Sequence, residues 1–220
     1  MSTRQLVIAI DGPAGSGKST IAARLAKKFG YVNLESGAMY RALALKALET
    51  NADLDNEDTM RNLAEQTRID LIPGEDGNCV LLDERDVSQR IREADVTAAA
   101  SRVSVHSSVR GIMVARQRAM GEQGGVVMEG RDIGTVVFPK AEVKIFLDAD
   151  VSVRAERRLL QNATNDAQQV KAELAERDRR DLTRAASPLF PALDAVHIDS
   201  THKSIDEVVE QIEGIVRGRN

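Results

Sequence analysis

The sequence predicts a three-layer α/β fold, with a central parallel sheet covered by helices on both faces and a small antiparallel lobe inserted in it. Three observations predict it. Short apolar runs rich in β-branched residues alternate with segments of helical periodicity along the 220-residue chain. A glycine-rich octapeptide, Gly12-Pro13-Ala14-Gly15-Ser16-Gly17-Lys18-Ser19, joins the first such run to the first helical segment. Between about Thr67 and Arg92 the texture changes to short strands separated by turn residues.

The elements follow in order. Leu6 to Ile10 reads as a buried parallel strand. Ile21 to Phe29 repeats apolar residues at helical spacing, and Gly30 stops the helix. Tyr31 to Leu34 reads as a second strand, and Ser36 as the N-cap of a helix running through Leu48. Asp58 to Thr67 reads as another helix. In the lobe, Ile69–Ile72 and Val80–Leu82 read as strands joined by the turn-rich link from Pro73 to Asn78, with a third strand at Asp86-Val87-Ser88. Helical pattern returns from Asp95 to Met120, with a break near His106. Val126–Met128 and Val143–Leu147 are buried-strand patterns. Val151–Leu160 and Gln168–Arg184 are helical around a polar loop from Gln161 to Asp166. Ala195–Asp199 is a last strand, and Ile205–Val216 a closing helix capped near Ser204.

Composition narrows the function. The formal net charge is −4, the pI is about 5.5 and aromatic residues make up 3% with no Trp. A surface for nucleic acid is usually basic, and stacking platforms need aromatic rings, so nucleic acid is not an expected partner. Cys79 is the sole cysteine, which excludes an intrachain disulfide and a cysteine zinc site. No signal-type apolar core or membrane-length run is visible, so a cytoplasmic location without membrane contact is expected.

The octapeptide matches G-x-x-x-x-G-K-[ST] at every fixed position, and strand, loop and helix come in the required order. Glycines let backbone N–H groups turn around phosphate oxygens, and the helix adds its positive N-terminal end. Lys18 can then reach the β- and γ-phosphates, and the Ser19 hydroxyl can ligate Mg²⁺. Asp11 or Asp148, each ending a strand, could orient water on that ion, with a capping or turn role the equal alternative for Asp148. Arginines mark a second anion site. Arg154, Arg157 and Arg158 share one helical face, as do Arg177, Asp181 and Arg184, so two arginine faces could close over a triphosphate. A solvated, salt-bridged surface is the competing reading. Gly130-Arg131-Asp132 follows a strand, at the sheet end where α/β folds bind ligands. An arginine there grips phosphate with its planar fork. His106, His197 and His202 show no metal spacing. No N-K-x-D element of GTPases is present, and the dinucleotide-binding glycine spacing is not met.

Four segments resemble the bacterial cytidylate kinases, P-loop nucleoside monophosphate kinases. They are Ile10 to Ser19, Ser36-Gly37-Ala38-Met39-Tyr40-Arg41, Glu129-Gly130-Arg131-Asp132 through Pro139, and Glu176-Arg177-Asp178 through Arg184 to Leu189. Their order and spacing match over nearly the whole chain. The resemblance implies a single three-layer P-loop kinase domain. Its core would span about 1–40, 121–150 and 185–220, its monophosphate-binding region with the insert about 41–120, and its lid about 151–184.

The implied reaction moves the γ-phosphoryl group of ATP to CMP or dCMP with Mg²⁺, in a monomer. ATP would lie on Gly12, Pro13, Ala14, Gly15, Ser16, Gly17, Lys18, Ser19 and Thr20. Ser36, Arg41, Arg131 and Arg184 match positions around the monophosphate, with Tyr40 in the same segment. Ser101, Arg110 and Asp132 match positions that read the cytosine edge, and Arg177 and Asp181 positions at the ribose. Lys18, Arg131, Arg184 and the lid arginines Arg157 and Arg158 would screen charge in the transfer, and the sequence does not decide which lid arginine points inward. Another small P-loop kinase acting on a different monophosphate or a small alcohol is the nearest rival. A module that holds ATP without turnover is the other, and it has no use for a second anion site at Arg131, Arg177 and Arg184.

Overall fold

The computed structural model of the chain describes residues 5–74, 78–161 and 166–219. Five parallel strands form the central sheet in the order β2-β6-β1-β7-β8: β1 (Val7–Asp11), β2 (Val32–Glu35), β6 (Val126–Gly130), β7 (Val143–Asp148) and β8 (Val196–Asp199). Ala9 pairs with Met128 on one side and Lys144 on the other, so β1 is the middle strand and its C-terminal end feeds the glycine loop. One face is covered by α1 (Lys18–Phe29) and α8 (Ile205–Arg217), where Ile8, Ile10, Leu25, Ile145, Val208 and Ile212 form a continuous core. The other face buries Ala9, Leu34, Met128 and Ile133 beneath α5 (Ser107–Met120).

The inserted lobe is antiparallel, in the order β3 (Ile69–Ile72), β4 (Cys79–Leu82), β5 (Arg85–Asp86). It packs with α2 (Ser36–Glu49), α3 (Glu57–Gln66) and α4 (Ala94–Val103) around Met39, Leu43, Met60, Val80, Leu82 and Met113. The third strand falls at Arg85–Asp86 rather than Asp86–Ser88, because the Ser88 Oγ turns back to accept Val80 N at 2.9 Å and ends the ladder. The long helical pattern divides at His106, whose Nε2 lies 2.8 Å from Leu54 O, so this buried histidine serves packing. Gly30 closes α1 in the left-handed region, and Ser204 forms a capping box with Glu207. Ser36 does not cap α2. It is the first helical residue, and its Oγ donates instead to Glu129 O at 2.8 Å, locking α2 onto the end of β6.

The last helices before β8 are α6 (Val151–Gln161) and α7 (Ala167–Thr183), packed on each other. Residues 162–165 of the expected polar loop, and 75–77 of the expected turn in the lobe, lie outside the described residues. Among the described residues no helix is long and apolar enough to cross a membrane.

The sequence gives no hint of a π-helical turn at Ile133–Val137. Asp11 makes it. Its two carboxylate oxygens accept Ile133 N at 2.8 Å and Gly134 N at 2.7 Å, at a buried position. That use of both oxygens corrects the expectation that Asp11 orients water on a metal. Asp148 takes the turn role expected as its alternative, accepting Ala149 N at 2.8 Å. Asp11→Ala orphans both buried N–H groups at a cost on the order of 1–3 kcal/mol each. A urea titration should show a clearly lowered midpoint, and an unchanged one would contradict the capping role.

Candidate functional site

A cleft of about 870 Å³ opens at the C-terminal ends of β1, β2 and β6. The glycine loop forms one wall. Gly12 must be glycine: a Cβ there would stand 2.0 Å from Leu147 O. Gly17 opens α1 in the left-handed region with no side-chain cap and no acidic residue in the first turn, so the helix presents its positive end to the cleft. The carbonyls of the loop are engaged from behind. Ala14 O accepts from Arg154 at 3.0 Å, and Ser16 O from Arg157 at 3.4 Å and Ser200 Oγ at 3.2 Å. Lys18 is buried and folds back to donate to Pro13 O and, at 3.3 Å, to Ser16 Oγ. Burial first, and then the neighbouring Arg131, push its amine down to about 7. Ser19 Oγ donates to Glu129 Oε1 at 3.0 Å.

The opposite wall is built from β6, α2, α5 and α7. Asp181 is the hub: one oxygen accepts from Arg131 Nε at 2.7 Å, the other from Arg184 at 3.3 Å. Burial alone would raise Asp181, but Arg131, Arg184 and Arg177 outweigh it and hold its carboxyl below the ordinary range. Arg184 is fixed from its other side by Ser187 O at 2.7 Å, which leaves a buried amino group of the guanidinium without a partner. Deeper in, Arg110 is ion-paired to Asp132, donates to Ser104 O at 3.2 Å and lies 5.3 Å above the Tyr40 ring. The buried Ser101 Oγ in the same pocket has no hydrogen-bond partner. Arg41 is ion-paired to Glu35, the last residue of β2.

Every expected site residue except Gly12 and Pro13, which shape the loop from beneath, lines this one cleft. The three arginines of α6 separate. Arg154 is buried and turned away, donating to Ala149 O and Ala14 O and pairing with Asp178 at 2.7 Å, so it braces the loop instead of facing a triphosphate. Spacing on a helix gives a shared face but not the neighbours that claim each side chain. Arg157 reaches the cleft while held by Ser200 O at 2.7 Å. Arg158 makes no hydrogen bond or ion pair among the described residues, and burial and then Arg41 lower its basicity. Arg177 is likewise unpaired among them. Burial and then Arg131 push it down to about 10.

Sequence reasoning missed Glu129 and Glu35 as site carboxylates. The available signal was a charged residue ending an otherwise apolar strand, beside a glycine loop or an arginine. In total, ten cationic side chains and four carboxylates line the cleft among the described residues. All four carboxylates and three of the cations, Lys18, Arg110 and Arg184, are buried, and the excess of positive charge lies toward the open part of the cleft, where anions can complete it.

A family model described as cytidylate kinase matches residues 8–217. The chain belongs to the cytidylate kinase family. A cytidylate kinase of Geobacillus kaustophilus (strain HTA426) is 50% identical over 220 residues, covering 98% of this chain and 98% of that one. A cytidylate kinase of Bacillus thuringiensis (strain Al Hakam) is 48% identical, covering 98% and 97%. Among solved structures, shikimate kinase from Acinetobacter baumannii in complex with shikimate superposes with a TM-score of 0.52, at 13% identity, over 98% of this chain and 95% of that one. This last likeness concerns the fold, the P-loop kinase architecture that cytidylate kinases share.

A polyphosphate seated against Lys18 would raise the basicity that burial and Arg131 hold at about 7. At a pH of about 8.5 the free amine is largely neutral, so nucleotide binding takes up close to one proton; at about pH 6 the amine is already charged and contributes none. Calorimetry in two buffers of different ionisation enthalpy should therefore give different heats at the higher pH. Buffer-independent heats there would refute it.

Proposed function

We propose that the chain transfers the γ-phosphoryl group of ATP to CMP or dCMP, giving ADP and CDP or dCDP. The observation that carries the reading is that two anion seats share one cleft, the glycine loop with Lys18 and the arginine wall around Asp181. Arg131 and Arg177 stand close enough to Lys18 to depress its basicity, so the two seats are electrostatically one space. ATP lies on Gly12 to Thr20. The acceptor phosphate lies among Ser36, Arg41, Arg131 and Arg184, and the ribose against Arg177 and Asp181.

The cytosine edge meets Ser101, Arg110 and Asp132. Its amino group donates to the Asp132 carboxylate, while its ring nitrogen and carbonyl accept from Arg110 and the unpartnered Ser101 hydroxyl. The buried Arg110–Asp132 pair gives way to two charged hydrogen bonds with the base. Uracil would turn a carbonyl toward Asp132.

The chemistry asks for placement more than for a base. The acceptor phosphate has its second pKa at about 6 and is largely dianionic at neutral pH. The task is to hold two anions in line and to screen the transferring group, which Lys18, Arg131, Arg184 and the lid arginines do. Arg158 and Arg177, unpaired among the described residues, have charge to spare for it. α6 and α7 act as the lid, excluding the water that would otherwise take the phosphoryl group.

Mg²⁺ fits the residues present. No trio of acidic, histidine or cysteine side chains forms a cage among the described residues, as suits an ion that keeps its waters and relies on phosphate oxygens. Ser19 Oγ would ligate it, with Glu129, 3.0 Å from that hydroxyl, orienting its waters. The bound ion supplies charge screening on the donor phosphates.

A coupled ADP-release assay across CMP, dCMP, UMP and AMP tests the proposal. Leaving a buried polar group mispaired costs about 1–3 kcal/mol, so kcat/KM for UMP should fall roughly 5- to 150-fold below that for CMP. Equal turnover of UMP and CMP at low concentration contradicts the base assignment, and no CMP-dependent ADP release contradicts the function.

A further inference from the structure

We infer that Arg92, delivered by the inserted strand lobe, is a further ligand of the acceptor phosphate. The inference rests on the reading of the arginine wall as the acceptor seat. Arg92 ends the 3-10 turn Arg90–Arg92 that follows β5, and its side chain lines the cleft. Its neighbour Ile91 is fully buried in the core shared by the lobe and α2, so the backbone at Arg92 is fixed while the side chain stays about half exposed.

What Arg92 touches is Glu35. The carboxylate of Glu35 accepts from Arg92 at 3.3 Å with one oxygen and from Arg41 with the other. Arg41 keeps a buried Nε with no hydrogen-bond partner, and Arg158 adds a third guanidinium close enough to be felt electrostatically. Arg41 and Arg92 therefore share the single carboxylate of Glu35, and Arg158, which also feels Glu173, adds a third positive charge at this edge of the cleft. One carboxylate carries one charge and cannot satisfy them all. A phosphate dianion supplies the missing charge and the acceptor oxygens for Arg41 Nε and for Arg92.

The long contact to Glu35 is weak enough to yield. Arg92 is half exposed and Glu35 keeps its contact with Arg41, so Arg92 can turn from Glu35 to the ligand without leaving that buried carboxylate unpaired. Glu35 meanwhile keeps Arg92 at the cleft before the ligand arrives. The same turn contains an internal comparison. Arg90, two residues earlier, pairs with Glu93 and Asp95 and does not line the cleft. The lobe thus offers one arginine to the cleft and spends the other on its own surface.

The test is steady-state kinetics of Arg92→Ala, Arg92→Lys and Arg90→Ala in the full chain. Loss of one charge-assisted contact should raise KM for CMP roughly tenfold in Arg92→Ala while KM for ATP stays within about twofold. Arg92→Lys should recover part of the loss, and Arg90→Ala should match wild type. Hydrogen exchange gives an independent reading. CMP should slow exchange in 69–72 and 79–82 of the wild type, and this protection should vanish in Arg92→Ala. A KM for CMP in Arg92→Ala within twofold of wild type, or an equal rise in Arg90→Ala, overturns the inference. A wild type that leaves CMP untouched would instead overturn the reading beneath it.

Discussion

Mutual repulsion among guanidinium and ammonium groups crowded into one cleft is the constraint around which this molecule is arranged. Among the described residues ten cations face four carboxylates there, and Lys18, Arg110 and Arg184 are buried. Each carboxylate is placed to hold more than one partner or to hold one in a chosen direction. Asp181 joins Arg131 to Arg184, Glu35 joins Arg41 to Arg92, Asp132 holds Arg110, and Glu129 holds Ser19. Arg177 and Arg158 are left over. Burial and the neighbouring arginines lower the basicity of both. The scaffold tolerates this because a polar floor of strand ends and a braced loop fix the positions of the charges before any ligand is present.

The bracing explains features that have no direct part in the chemistry. Asp11 sits one residue before the glycine loop and caps the π-helical turn that follows Arg131 and Asp132. One buried carboxylate thereby ties the glycine loop to the segment that carries Arg131 and Asp132. Burial pushes Asp11 up to about 6, partly countered by the two N–H groups it accepts. Arg154 does the same work from the lid side, linking Ala14 of the loop to Asp178 of α7. The glycine loop and the α6–α7 pair are therefore joined by one buried brace.

The sequence made the loop and sheet order legible because their signals are local: a motif between a strand pattern and a helix pattern. It made the arginine wall of the cleft legible through Arg131, Arg177 and Arg184, whose positions follow from strand ends and helical spacing. It could not separate Arg154 from Arg157 and Arg158, since the difference depends on Ala14 and Asp178, which approach only in the folded chain. The roles of Asp11 and Ser36 stayed hidden for the same reason. Asp11 bonds residues more than a hundred positions away, and Ser36 spends its hydroxyl on Glu129 O in place of its own helix. The shift of β5 by a residue came from Ser88 turning its hydroxyl into the ladder, a competition that strand propensity does not register.

The central claim is that donor and acceptor nucleotides lie end to end within one cationic cleft. A single molecule joining adenosine to cytidine through five phosphates tests it most directly. Titrated calorimetrically with Mg²⁺, it should bind one per chain, more tightly than ATP or CMP alone, and compete with both. Competition with only one of the two nucleotides would show that the seats are separate, and would contradict the account.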